Sequence, residues 1–435
     1  MLFLAKAEYS RITRSSNALV LCFNFFWVVS HGAKLTTRPE RLKSKGQNVG
    51  KPGPFRFYPL SFILYPSLRF YPLAFILYPL PFHQKSGLGA LKLGLVGALA
   101  VCYLAGAGEY SSPPEVEQRG AIFSVTDEND AWSNPFGPHQ DRHYTHGVKL
   151  AFLGSDTSMT NLTGWFNRLF AWGRQPLPGN FGFVAGQNMY TPENILDPKP
   201  IYNDRPYAGW LYGGLVYQRR NERSAHFATL ESFELDLGIV GPHSEADDTQ
   251  IFIHQWRFPE DIPQGWGNQL HDEPGLLLKY AHLWRYSPSD QAAKYFDLLP
   301  RAGFELGNVA VFATAGAAAR LGWNLPPDFG AQIIDSPASV SGGMNGNTPW
   351  LAAYLFAAWD GRYVAHDITL DGNTFGSSQS VDKYNWVNEV TWGFALDLFR
   401  HLELSYAHVT RSKQFVGQVH PDAFGSINFK WKFSF

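Results

Sequence analysis

Cysteine is nearly absent from this chain of 435 residues. Its two cysteines, Cys22 and Cys102, both lie in the first quarter, so the region after residue 102 can form no intrachain disulfide and contains no thiol nucleophile. The GxSxG sequence that forms the nucleophile elbow of many serine hydrolases is also missing. A covalent mechanism through Ser or Cys therefore has no obvious residue to perform it.

Charge is scarce and nearly balanced. Charged residues make up 17% of the chain and the formal net charge is -1, so no surplus of Lys and Arg is left to neutralise phosphates. This argues against nucleic-acid binding, as does the lack of zinc-finger spacing. Aromatic residues, by contrast, reach 16% and there are 41 glycines. Aromatic girdles and turn-rich antiparallel strands would produce that composition.

Apolar runs are short. Residues 91–107, LKLGLVGALAVCYLAGA, combine a lysine, an apolar run too short to span a bilayer comfortably and an A-x-A ending, which are the features of a secretory signal peptide cleaved near Gly108. Because signal peptides begin a chain, we interpret residues 1–90 as a mis-assigned upstream extension of low complexity, and 108–435 as the mature domain. A second apolar run at 18–29 leaves open the alternative that the prefix is real.

Strand-like alternation dominates the chain from Gly120 onward. In SINFKWKFSF, residues 426–435, every odd position is apolar or aromatic and every even position is polar, so one face of a strand is apolar and the other hydrophilic. Twelve such runs occur, near 121–127, 145–154, 181–190, 207–219, 226–240, 275–287, 295–306, 308–322, 349–361, 384–399, 401–411 and 425–435. Their number and length, below a signal peptide, predict an all-β fold: a transmembrane antiparallel β-barrel of twelve strands in the bacterial outer membrane.

Three smaller features complete this prediction. The terminal aromatic residue, Phe435, is expected to help the barrel assembly machinery recognise the chain. The Gly-, Ser- and Asn-rich stretch 328–347 is predicted to be a surface loop, and DDTQIFIHQWR at 247–257 a short helix or ordered loop. We expect the barrel to be a monomer.

Three polar clusters are not explained by alternation. In SVTDENDAW, residues 124–132, the oxygen-rich run Asp127–Asp130 would suit Ca²⁺. In DRHYTHGVKLAF, residues 141–152, Val148, Leu150 and Phe152 are predicted to face lipid, so Thr145 and Lys149 would face inward. Gln250 and His254 are four residues apart and would share one face of a helix, with Glu260 six residues further on. Each cluster alone is also compatible with an ordinary solvated strand or loop.

Taken in order, these segments resemble the family of outer-membrane lipid A deacylases, which remove the 3′-linked acyloxyacyl chain of lipid A. The resemblance rests on SVTDENDAW, DRHYTHGVKLAF, QNMYTPENI, NDRPYAGWLYGGL, LGIVGP, QIFIHQ and QGWGNQLHDEPG. It spans roughly residues 120–435 and is densest from 120 to 280. It implies a twelve-stranded barrel, dependence on Ca²⁺ and an active site inside the barrel wall near the outer leaflet.

The family's functional residues can be transferred by motif. Its Asn-Asp pair is similar to Asn129 and Asp130, its Ser/Thr after the tyrosine to Thr145, its Gln-x-x-x-His to Gln250 and His254, and its acid six residues later to Glu260. The lysine that the family places after its YTP turn falls near Asp197 or Lys199 here, so that role is not transferred.

These residues suggest an ester hydrolase that uses activated water. His254 would act as general base, Glu260 would orient it or bind metal, and Asn129 with Asp130 would hold Ca²⁺ against the ester carbonyl. Gln250 and Thr145 would position the water or complete the oxyanion hole. The predicted partner is lipid A or lipopolysaccharide. A passive porin-like barrel and an outer-membrane phospholipase are the alternatives.

Overall fold

A computed structural model describes residues 120–133, 141–154, 179–334 and 349–433. The predicted upstream extension at 1–90, the predicted signal peptide at 91–107 and Phe435 lie outside the described residues. In the described part of the chain, no helix is long and apolar enough to cross a membrane.

Twelve antiparallel strands form a closed barrel in which each strand pairs with its neighbours in sequence and β1 pairs with β12. The strands are β1 Ala121–Asn129, β2 His143–Gly154, β3 Gly179–Thr191, β4 Ala208–Ser224, β5 Phe227–Val240, β6 Glu273–Tyr286, β7 Phe296–Gly307, β8 Ala310–Trp323, β9 Leu351–Asp367, β10 Trp386–Leu398, β11 Leu402–Arg411 and β12 Asp422–Phe433. The prediction of a twelve-stranded antiparallel barrel is confirmed.

The last strand shows why alternation produces this fold. On β12, Ile427 and Trp431 are exposed on the outer wall, whereas Asn428 and Lys430 are buried in the interior. Aliphatic and aromatic side chains face outward in the same way on β5, β6, β9 and β10. A barrel leaves no open strand edge, so its backbone groups are satisfied in the membrane while lipid covers the apolar outer face.

Ion pairs fill the interior. Lys149 contacts Glu234 at 2.6 Å, and Lys430 contacts Glu403 at 2.8 Å. All four side chains are almost fully buried, which confirms the predicted inward orientation of Lys149. Buried charges are stable only when they are paired, so the polar inner face of one strand depends on its neighbours across the barrel.

The connection between β8 and β9 enters this interior. Asp328 pairs with Arg320, and the backbone N–H of Ile334 donates to Oε1 of Glu128 on β1 at 2.8 Å. Phe329, Ile333 and Ile334 are buried. The prediction that 328–347 is a surface loop is therefore wrong for residues 328–334, because this segment supplies partners to charged and polar groups of the inner face.

Two α-helices occur in the described residues, α1 at Ala246–Arg257 and α2 at Ile368–Asp371. A short helix or an ordered loop was predicted at 247–257, and α1 confirms the helix. It belongs to residues 241–272, which connect β5 to β6. This connection is the longest between consecutive strands of the barrel. Short 3₁₀ turns flank it at Pro242–Ser244 and Trp266–Asn268.

Candidate active site

Helix α1 packs against the outer side of the barrel wall. Met189 on β3 lies opposite His146 on β2, and His146 is on the same face as the lipid-facing Val148. Met189 nevertheless has no exposed surface, because it packs with Ala246 at the start of α1 and with Tyr207 and Trp266. The site that α1 forms therefore lies outside the wall. The family resemblance had implied a site inside the wall, and the structure differs from that expectation.

A glycine allows this close approach. A Cβ atom on Gly209 of β4 would come within 2.0 Å of Ser244 Oγ and 2.5 Å of Ala246 Cβ. The side-chain amide of Gln187, on the outward face of β3, also donates to the carbonyl oxygen of Ser244 at 2.7 Å. The start of α1 is thus held by the backbone of β4 at Gly209 and by the side chain of Gln187 on β3.

One carboxylate connects the two predicted helix residues. His254 Nε2 lies 2.7 Å from Oδ2 of Asp141, and the Gln250 amide donates to the same carboxylate at 2.9 Å. The indole N–H of Trp266 donates to Oε1 of Gln250 at 2.6 Å, which fixes the orientation of the amide. The predicted shared face of Gln250 and His254 is confirmed, and both side chains are buried.

The surroundings of His254 favour its protonated form. Burial by itself would lower the pKa of His254, but the hydrogen bond and negative charge of Asp141, with a contribution from Asp261, outweigh burial and raise it above 6.5. A histidine held by a carboxylate on one nitrogen has its ring orientation and tautomer fixed. Such a pair can accept a proton and stabilise the resulting imidazolium.

Asp130 lies in the 3₁₀ turn directly after β1. Its Oδ2 accepts from the backbone N–H of Arg142 at 2.7 Å, and its buried Oδ1 has no hydrogen-bond partner. Burial, and then the negative charge of Asp141, raise the pKa of Asp130 well above its usual value. Asp130 is hydrogen-bonded to the backbone of Arg142, and the residue before Arg142 is Asp141, which contacts Gln250 and His254. The four side chains therefore form one connected cluster: Asp130, Asp141, Gln250 and His254.

This environment fits a hard cation. A carboxylate with a free oxygen lies close to a second carboxylate, and no ion pair to Asp130 occurs in the described part of the chain. Carboxylate and amide oxygens are the ligands that Ca²⁺ prefers. Asn129 is next to Asp130, and its side-chain oxygen accepts from the N–H of Ala131 at 2.8 Å, which leaves a second lone pair.

Thr145 is displaced by a bulge in β2. The register shifts between Tyr144 and His146, and Thr145 is the additional residue. Its hydroxyl lies 2.7 Å from the hydroxyl of Thr191, which is on the same face of β3 as Met189. The prediction that Thr145 faces the interior is therefore wrong: the bulge directs Tyr144 inward to Glu128 and leaves Thr145 at the outer wall.

The wall beside α1 presents a second histidine–carboxylate pair. His146 Nε2 lies 2.7 Å from Oδ1 of Asp127, and the Trp132 indole donates to the other oxygen of Asp127 at 3.1 Å. Trp132 folds over the outer face of β12 at Gly425 and accepts from the Tyr406 hydroxyl through its carbonyl oxygen.

Two residues considered from the sequence form no hydrogen bond or ion pair with this cluster in the described part of the chain. Glu260 is exposed in the turn after α1, and the carboxylate that contacts His254 is Asp141. Lys199 is exposed, and its backbone N–H donates to Asp197. Asp141 begins the DRHYTHGVKLAF segment and was overlooked because nothing in its local sequence indicates contact with a helix more than one hundred residues later.

Comparison with known proteins places the chain in a family. A family model described as outer membrane protein LpxR matches residues 93–433. The fold is similar to that of LpxR from Salmonella typhimurium, with a TM-score of 0.54 and 19% identity over 72% of this chain and 100% of that chain.

Other matches are weaker. The KdgM porin gives a TM-score of 0.31 at 6% identity, covering 71% of this chain and 98% of that chain. The β domain of the Bordetella autotransporter Brka gives a TM-score of 0.36 at 9% identity, covering 73% of this chain and 100% of that chain. No curated protein matches. Since the family model spans well over half of its length, the chain belongs to the LpxR family of outer-membrane proteins.

Proposed function

We propose that this protein is an outer-membrane esterase that removes the 3′-linked acyloxyacyl chain of lipid A by attack of activated water. The observation that supports this most strongly is the buried cluster of Asp130, Asp141, Gln250 and His254 between the outer wall and α1. A site on the outer wall is open to lipids of the surrounding leaflet, which a site in the interior would not be.

The orientation of the barrel fits this substrate. The cluster is built from the connections that follow β1 and β5, at the end of the barrel that has the longest connection. In outer-membrane barrels the longer loops are extracellular. This end would then lie at the outer leaflet, where lipid A is found.

The chain's own residues provide the proton transfer. His254 would take a proton from the attacking water, and Asp141, which lies 2.7 Å from Nε2, would stabilise the imidazolium that forms. As the water oxygen attacks the ester carbon, negative charge develops on the carbonyl oxygen. When this intermediate collapses, the bond between the ester carbon and the sugar oxygen breaks, and the leaving oxygen would take the proton from His254. Gln250, held by Asp141 and Trp266, would position the water, and the Thr145 hydroxyl would donate to the oxyanion.

Asp130 and Asn129 are the residues that would hold Ca²⁺. When bound, the ion would supply positive charge that polarises the ester carbonyl. Glu260 was the other predicted ligand, but its exposed position after α1 gives it no part in the proposal.

The filled interior disfavours the porin alternative. Ion pairs and the buried residues 328–334 occupy the inside, and a cavity lined by Lys279, Arg362 and Arg411 has a volume of about 50 Å³, room for a few waters. The phospholipase alternative uses the same ester chemistry and differs only in substrate. A substrate assay must therefore separate the two.

Mass spectrometry of the lipids of cells that express the chain tests the proposal. We expect lipid A to lose the mass of the 3′ acyloxyacyl group, while glycerophospholipids keep both acyl chains. Cells that express His254→Ala at equal outer-membrane level serve as the control. Unchanged lipid A beside accumulating lysophospholipid would contradict the proposal and favour the phospholipase.

A further inference from the structure

Helix α1 has a second face that the proposed chemistry does not use. Gln250 and His254 point to the wall, and residues two positions away from each lie on the opposite side of a helix. Phe252 and Trp256 occupy those positions and are 47% and 81% exposed. An aromatic pair this exposed, on a helix whose other face is buried, is apolar surface without a partner in the described residues.

The position of α1 indicates what surrounds this face. The helix begins over Gly209, and the next residue on the same face of β4 is Leu211, about 7 Å along the strand. Leu215 continues this row, and Leu237 and Leu276 on the adjoining strands are exposed at the same side of the barrel. The lipid-facing surface therefore extends up to the base of α1.

We propose that Phe252 and Trp256 insert into the outer leaflet, so that α1 is an interfacial helix bound to lipid at the boundary between head groups and acyl chains. Tryptophan is enriched at this boundary because its ring is apolar and its indole N–H is polar. The acidic residues Asp247 and Asp248 lie in the first turn of α1, and the aromatic residues lie in its middle and last turn. The helix thus has the polar and apolar parts that an interfacial position requires.

This position has a consequence for the site. The wall-facing side of α1 holds His254 while its outer side contacts lipid, so a lipid next to Trp256 is separated from the catalytic cluster only by the width of one helix, about 10 Å. This part of the inference rests on the proposed function. The insertion itself does not, since it follows from the fold and the exposed residues.

Site-directed spin labelling measures the insertion independently of activity. The full chain, with Cys22 and Cys102 replaced by serine, would receive Trp256→Cys and, separately, Phe252→Cys, each with a nitroxide label, in vesicles of lipopolysaccharide and phospholipid. Leu237→Cys on the outer wall is the lipid control. His243→Cys, in the exposed turn before α1, is the aqueous control.

We expect oxygen to relax the labels at 252 and 256 more strongly than a water-soluble nickel complex does. The lipid control at 237 should behave in the same way, and the aqueous control at 243 should show the opposite preference. Labels with the accessibility of 243 would overturn the proposal. Spin–spin broadening that disappears when labelled protein is diluted with unlabelled protein would also overturn it, because a second copy would then cover the face.

Activity supplies a second readout. The double variant Phe252→Ser and Trp256→Ser should lose roughly tenfold in rate on lipid A in vesicles, because apolar burial at the interface is lost. Its rate on lipid A in detergent micelles should stay equal to that of the unmutated chain. Equal rates in vesicles would overturn the link to substrate. Absence of activity from the unmutated chain would instead refute the proposed function and leave the labelling result standing.

Discussion

At the scale of single residues, Asp141 raises the pKa of His254. The proposed mechanism needs neutral His254, whose pKa is raised above 6.5 by Asp141, so the rate should fall as pH drops through that raised pKa. In Asp141→Asn the charge is lost, and the acid limb of the pH–rate profile should move to lower pH while the maximal rate falls roughly 10²-fold or more. A limb that does not move would mean that Asp141 does not act through His254.

Asp130 provides a prediction about stability. Its raised pKa means that the ionised carboxylate destabilises the folded chain at neutral pH. This penalty shrinks as pH falls below the folded-state pKa and is gone below the unfolded-state pKa. Asp130→Asn keeps the acceptor for Arg142 and removes the charge. In chelator it should raise the melting temperature by roughly 2–4 °C, and added Ca²⁺ should no longer stabilise it.

The control is the unmutated chain, which Ca²⁺ should stabilise. Heat-modifiable gel mobility over a temperature series measures both effects. If Ca²⁺ stabilises Asp130→Asn as much as the unmutated chain, Asp130 does not hold the ion.

Single residues also mark the limit of sequence analysis. The i, i+4 spacing of Gln250 and His254 was sufficient to place both on one helix face. Spacing also suggested Glu260, but Asp141 contacts the histidine from a distant loop, and such a contact depends on how the barrel brings β2 next to β3 and α1. Thr145 was assigned the wrong face because alternation cannot anticipate a bulge.

At the scale of secondary-structure elements, the packing of α1 on the wall is open to a matched test. Gly209→Val would place atoms where Ser244 and Ala246 now lie and should displace α1. Gly213 is on the same face of the same strand. A Cβ atom added to Gly213 would meet no atom closer than 3.9 Å, so Gly213→Val is the control.

Both variants should form heat-modifiable barrels, because β4 keeps its pairing. We expect deacylation by Gly209→Val to fall at least roughly tenfold, since displacement of α1 separates His254 from Asp141. Gly213→Val should retain the activity of the unmutated chain. Full activity of folded Gly209→Val would show that the contact between α1 and β4 does not position the site.

The elements differ in how far their sequences determine them. All twelve strands could be predicted because each has one face in lipid and one in a polar interior. Apolar and polar residues therefore alternate along each strand. Residues 328–334 could not, because DFGAQII has no regular alternation of apolar and polar residues and its burial depends on Arg320 and Glu128 of other strands.

At the scale of the whole molecule, the filled interior predicts a barrel that does not conduct. Purified protein in a planar lipid bilayer should give no stable single-channel current, because ion pairs such as Arg320–Asp297 and the segment 328–334 obstruct the inside. An outer-membrane porin measured in the same bilayer is the positive control. Porin-sized conductance steps from the folded chain would restore the pore interpretation.

The carboxyl end predicts how the molecule is assembled. Phe435 lies outside the described residues, and in the sequence it continues the apolar odd-numbered positions of Ile427, Phe429 and Trp431. Deleting it should lower the amount of barrel inserted in the outer membrane, and the barrel that does insert should keep its specific activity. Normal insertion of the truncated chain would show that the assembly machinery does not need this residue.

Release of the 3′ acyl chain from lipid A by purified protein in detergent tests the central claim most directly. Rates would be compared for the unmutated chain, His254→Ala and His243→Ala, all shown to be folded by heat-modifiable mobility. The account predicts a loss of roughly 10²–10⁴-fold for His254→Ala and none for His243→Ala, whose exposed side chain pairs with Asp272 and not with a member of the cluster. Undiminished release by folded His254→Ala would contradict it.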